Sequence, residues 1–130
     1  MNAGIEIGGA PSSSPRSLRC SRFPAAQSAP NVEVVAVAAR DVGRAREFAA
    51  RHAIPHALGD YEELLAAPEV DAIYKPQPNG LHGLWSMAAI RAGKHVLCEK
   101  PFAANGQEAR AVADMASGSG KVVFEAFHYR

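Results

Sequence analysis

From Val32 onward the chain alternates short apolar runs with longer amphipathic stretches. The run Val32-Glu33-Val34-Val35-Ala36-Val37-Ala38-Ala39 is valine-rich and nearly all apolar, the pattern of a strand buried on both faces. Asp41 then suits a helix N-cap. Ala45, Phe48, Ala49 and His52 recur on one helical face, and Pro55 marks the stop. Ile54-Pro55-His56-Ala57-Leu58 predicts a short strand, which its proline restricts to an edge or a strand start. Asp60 and Glu63 have capping-box spacing at the front of a short helix that Pro68 ends. Val70-Asp71-Ala72-Ile73-Tyr74 predicts the next strand. Leu81, Leu84, Trp85, Ala88 and Ala89 recur at helical spacing, and Gly93 suits the C′ position. A strand over Lys94-His95-Val96-Leu97-Cys98 follows, then a helix with a second capping box at Asn105 and Glu108, ended by Gly118 and Gly120. Val122-Val123-Phe124-Glu125-Ala126-Phe127 predicts the last strand.

Strands alternating with helices predict an α/β fold with a doubly wound parallel sheet. The expected strand order is 3-2-1-4-5-6, with the first strand in the middle. The sequence is weakest there. Ile5-Glu6-Ile7-Gly8-Gly9-Ala10 resembles a short strand running into a glycine turn, but Pro11 and Pro15 among serines disfavour the helix that should follow. Residues 8–30 show no 3.6-residue apolar pattern. The expectation is therefore a poorly structured segment over residues 1–30 and a partial Rossmann-type domain over 31–130, with the first strand and helix weak or missing. Arg16, Arg19 and Arg22 among serines mildly resemble a transit peptide. The lack of an amphipathic repeat favours an aberrant N-terminus instead.

The 130 residues fit one domain. A net charge of +1 implies no general attraction to nucleic acid or membrane. Cys20 and Cys98 do not suggest a disulfide framework, so a reducing, cytoplasmic setting is expected. No apolar run approaches the ~20 residues of a membrane helix. His95 and Cys98 lack partners at a typical zinc spacing, and no metal site is expected.

Candidate chemistry gathers where strands end, because ligands of open parallel α/β sheets bind outside the carboxyl ends. After the strand at 32–39 come Arg40 and Asp41, with Arg44 about one turn on. A carboxylate there can hold the ribose 2′-hydroxyl of NAD, and an arginine can pair bidentately with the 2′-phosphate of NADP. The alternative is a solvated Arg40 and an Asp41 that only caps a helix. After Tyr74, Pro76 and Pro78 stiffen a loop by fixing φ. Asn79 can cap or satisfy that loop, and His82 stands at the helix start, facing either a ligand or solvent. After Cys98 comes Glu99-Lys100-Pro101, in which the proline biases Lys100 toward an extended conformation. Lys75 and Gly80 receive no role.

Pro76-x-Pro78-Asn79-x-Leu81-His82 followed by Glu99-Lys100-Pro101 resembles the glucose–fructose oxidoreductase / inositol dehydrogenase (Gfo/Idh/MocA) family. Ala38-Ala39-Arg40-Asp41 and Glu125-Ala126-Phe127 fit its dihydrodiol and D-xylose dehydrogenase branch. The resemblance begins at about Val32. It implies an NAD(P)-dependent oxidoreductase of CH–OH groups in sugars, polyols or diols, of which this chain carries the cofactor-binding part without the substrate domain. NADP is the favoured nicotinamide dinucleotide, with NAD as the alternative. In this family Lys100 would be catalytic, holding the substrate oxygen, and Glu99 would place the nicotinamide ribose. Pro76, Asn79, His82, Glu99, Lys100 and Pro101 would line the cofactor pocket together with Arg40 and Asp41. The Lys100–Pro101 bond would be cis, and full-length relatives would be homo-oligomers. Two readings compete with an active enzyme: a non-catalytic nucleotide-binding regulator, and an inactive truncated product.

Overall fold

The structure is a computed structural model that describes residues 1–6 and 28–127. It contains strands β1 (Asn2–Glu6), β2 (Glu33–Ala38), β3 (His56–Leu58), β4 (Ala72–Lys75), β5 (His95–Glu99) and β6 (Val123–Ala126). The helices are α1 (Val42–His52), α2 (Tyr61–Ala66), α3 (His82–Arg91) and α4 (Gly106–Ser119). A 3₁₀ turn over Asn79–Leu81 leads into α3.

All six strands form one parallel sheet in the order β3-β2-β1-β4-β5-β6. β3 therefore lies at an edge, where Pro55 costs no ladder bond. The central strand is where the observed structure departs from the sequence reading. Asn2–Glu6 is a paired strand inside the segment 1–30 that the sequence marks as poorly structured, and it starts ahead of the expected Ile5. It pairs with β2 on one side and β4 on the other. Glycine and asparagine disguise it in the sequence, and pairing on both sides holds it in place. Gly4 has a packing reason: a Cβ there would meet Leu64 Cδ1 at 2.7 Å. The expected glycine turn and helix after β1 fall outside the described residues.

The sheet is covered on both faces, as a parallel sheet requires. On one face Ala36, Ala38, Ile73, Val96 and Cys98 pack against Tyr61, Leu64 and Leu65 of α2, Ala89 and Ile90 of α3, and Val112 of α4. Tyr61 and Trp85 meet edge to face, with ring centroids 5.2 Å apart. On the other face Val34, Val37, Ala39 and Tyr74 pack against Ala45, Phe48 and Ala49 of α1.

The expected caps are in place. Asp41 accepts from Gly43 N at 2.8 Å, Asp60 from Glu63 N at 2.7 Å, and Asn105 from Glu108 N at 2.9 Å. Gly93 and Gly120 take left-handed φ values of 75° and 69° where α3 and α4 end. The buried side of α3 differs in part from the expected one. Ala89 is buried and Trp85 and Ala88 pack against the core as expected, but Leu81 and Leu84 are exposed, and His82, Gly83, Ser86 and Ile90 face inward. Small residues are needed on the inner side because α4 lies close: a Cβ on Gly83 would collide with the Glu108 side chain.

Candidate functional site at the carboxyl border of the sheet

Parallel strands finish on one border, so the corners after β2, β4 and β5 come together there. β1 and β4 are neighbours at the point where the strand order reverses, and the polar corners flank that point. Lys75 pairs in register with Cys98, and Glu99 with Ala126. The loops that start at Pro76 and at Lys100 therefore leave the sheet side by side.

Glu99 is half-buried, and its carboxylate accepts a hydrogen bond from the Tyr74 hydroxyl at 2.6 Å. Lys100 is exposed, and the Lys100–Pro101 peptide bond is cis. The next residue is anchored from β6, where Glu125 accepts from Phe102 N at 2.7 Å. Ala104 N donates to Glu108 at 2.7 Å, which completes the cap of α4. The loop that carries Lys100 is thus tied down by two carboxylates just after the lysine. Pro76 is half-buried and Asn79 is exposed at the start of the 3₁₀ turn.

His82 faces neither solvent nor an open pocket. It is fully buried; Nε2 lies 2.7 Å from the Gln77 carbonyl, and Nδ1 faces the Pro101 carbonyl. Burial among these loops replaces the solvent-facing position that the sequence left open, because α3 starts beneath both of them. Lys75, to which the sequence gave no role, is also fully buried, and its Nζ donates to the His82 carbonyl at 2.6 Å. Strand alternation was the available signal, since it puts Lys75 on the same face as Ile73. Beside it, burial pushes the Cys98 thiol above its ordinary value, opposed mainly by the neighbouring Lys75 ammonium. Cys98 is a buried packing residue, as expected.

At the end of β2, Asp41 is committed as the cap of α1, accepting from both Gly43 N and Arg44 N. Arg40 is exposed beside it. His95 Nδ1 accepts from Val122 N at 3.0 Å, so it works as a loop acceptor. Among the described residues, no group of three or more His, Cys, Asp or Glu side chains is placed to hold a metal ion. No helix among them is long and apolar enough to cross a membrane.

A six-stranded parallel sheet in this order, with polar corners at the carboxyl border beside the reversal point, defines a nucleotide-binding α/β domain of Rossmann type. The chain belongs to the Gfo/Idh/MocA oxidoreductase family, whose NAD-binding Rossmann-fold model matches residues 20–127. Over 108 residues it is 47% identical to D-xylose 1-dehydrogenase (NADP(+)) 2 of Haloferax volcanii, covering 83% of this chain and 33% of that protein. Over 98 residues it is 45% identical to trans-1,2-dihydrobenzene-1,2-diol dehydrogenase of Macaca fascicularis, covering 75% of this chain and 29% of that protein. Its structure is similar to KijD10, a 3-ketoreductase from Actinomadura kijaniata solved in complex with TDP-benzene and NADP. That match has a TM-score of 0.85 and 34% identity, over 98% of this chain and 38% of the other. The chain thus spans about a third of the length of these relatives.

Proposed function

We propose that this chain is the cofactor-binding part of an NAD(P)-dependent oxidoreductase acting on CH–OH groups of sugars, polyols or diols. The observation that carries the reading is the convergence of Asn79, Glu99 and Lys100 on one border, with Glu99 held by Tyr74 and the Lys100 loop held by Glu125. The named dehydrogenase relatives support the substrate class.

The residues present fit a nicotinamide dinucleotide. The Gln77 side chain is only 5% exposed, yet neither its amide nitrogen nor its amide oxygen has a hydrogen-bond partner among the described residues. Leaving such a group unsatisfied costs about 1–3 kcal/mol. An orphaned amide in the loop after β4 is consistent with a site that awaits a polar ligand.

When bound, the dinucleotide supplies the hydride acceptor for a carbinol carbon. The chain's own contribution is positioning and charge. Glu99, oriented by the Tyr74 hydroxyl, would accept from ribose hydroxyls. Lys100 would donate to the substrate oxygen, where its positive charge stabilises negative charge that develops on that oxygen. Arg40 would pair with a 2′-phosphate, which favours NADP over NAD. Asp41 would act at this corner through its cap, by fixing the first turn of α1.

Calorimetric titration of the chain with NADPH and NADH tests this reading. The expected result is binding of both, tighter for NADPH, with the preference reduced in Arg40→Ala. Absence of binding to either cofactor by a folded chain would overturn it.

A further inference from the structure

We propose that His82 is a positioning residue, held as the doubly protonated imidazolium, that ties the loop after β4 to the loop after β5 and so fixes where Lys100 stands relative to Asn79. Its functional consequence rests on the cofactor reading above; the tie itself is a property of the chain alone.

Each ring nitrogen of His82 faces a backbone carbonyl oxygen, that of Gln77 or that of Pro101. A carbonyl oxygen only accepts, and a neutral imidazole has one N–H. A neutral ring would set a nitrogen lone pair against an oxygen lone pair at one of the two contacts. The imidazolium donates at both. The ring is fully buried, so an unmatched contact there is costly.

Gln77 and Pro101 lie 5 and 19 residues from His82, on loops that leave neighbouring strands. Pro101 directly follows Lys100. The backbone of His82 is itself pinned from β4, because Lys75 Nζ donates to its carbonyl. One side chain therefore references both loops to the end of β4.

Charged and titratable groups lie on each of the neighbouring elements. Lys75 on β4 is a like charge and opposes protonation of the ring. Cys98 on β5 sits beside Lys75 as a thiol. Glu99 on β5 is bound to Tyr74, Glu125 on β6 to Phe102 N, and Glu108 at the start of α4 to Ala104 N beside Gly83.

The test combines nitrogen NMR of the His82 ring, amide hydrogen exchange and NADPH titration on the full chain. Two protonated ring nitrogens are expected. Amide exchange at Leu81, Phe102 and Ala104, which are hydrogen-bonded within the two loops, reports on the tie. His82→Ala should speed exchange at all three by about tenfold while β2 stays protected, and should weaken NADPH binding by about tenfold. His82→Gln, which can keep one of the two bonds, should leave one loop protected. A wild-type ring with a single N–H near neutral pH overturns the proposal, as does unchanged loop exchange in His82→Ala. Should His82→Ala fail to fold, the wild-type ring signals decide alone. A doubly protonated ring in a chain that ignores NADPH would keep the tie and sink the cofactor reading.

Discussion

Tyr74 and Glu99 sit on adjacent strands, and the Tyr74 hydroxyl donates to the Glu99 carboxylate across 2.6 Å. The bond orients an acidic side chain at the border where three loops converge. Tyr74→Phe should lose about 1 kcal/mol of stability. If Glu99 meets the nicotinamide ribose, the same change should weaken NADPH binding by about tenfold. Denaturant unfolding and calorimetry on one sample separate the two effects; unchanged affinity would remove Glu99 from the cofactor site.

Gln77 gives a prediction of opposite sign for stability and binding. Its amide is buried without a hydrogen-bond partner among the described residues. Gln77→Leu should raise the unfolding free energy of the free chain by about 1 kcal/mol. It should also lower cofactor affinity if the amide serves the ligand. A less stable Gln77→Leu chain would show that the amide is satisfied in solution.

Gly83 lets α3 approach the first turn of α4. A methyl there collides with Glu108, which holds Ala104 N in the cap of α4. Gly83→Ala should therefore cost about 1–3 kcal/mol, although alanine is the better helix former. Thermal unfolding checks this, and faster amide exchange at Ala104 would locate the damage.

Cys98 makes stability depend on alkaline pH. Its folded thiol value is raised above the ordinary 9.0, chiefly by burial. The contribution is fully present below pH 9.0, where both folded and unfolded chains keep the proton, and is lost as pH rises through the raised folded value. The stability difference between the wild type and Cys98→Ala should shrink as the pH climbs above about 9. Urea titrations at several pH values measure it; a difference that stays constant would contradict the account.

The strands from β2 onward were legible because buried parallel strands read as apolar runs. The α1, α2 and α4 starts were legible because Asp41, Asp60 and Asn105 cap them by local chemistry. β1 was obscured because Asn2, Gly4 and Glu6 carry no strand signal and pairing with β2 and β4 defines the strand. The inner face of α3 was legible at Trp85, Ala88 and Ala89, but Leu81 and Leu84 are exposed, and Gly83 faces inward because Glu108 of α4 lies close. In the site, the corners themselves were readable from their prolines and charges. The partners of His82 were not, because Pro101 reaches it only after β4 and β5 pair. The burial of Lys75 was half-written in strand alternation, but its acceptor comes from the first turn of α3.

The most direct measurement is a backbone NMR titration of the chain with NADPH, read by residue. The expected shifts cluster at Arg40, Asn79, Glu99 and Lys100, at one border of the sheet, with the opposite border near Asp71 and Lys94 unmoved. Shifts confined to that opposite border, or no saturable shift from a folded chain, would contradict a dinucleotide site at the carboxyl ends of these strands.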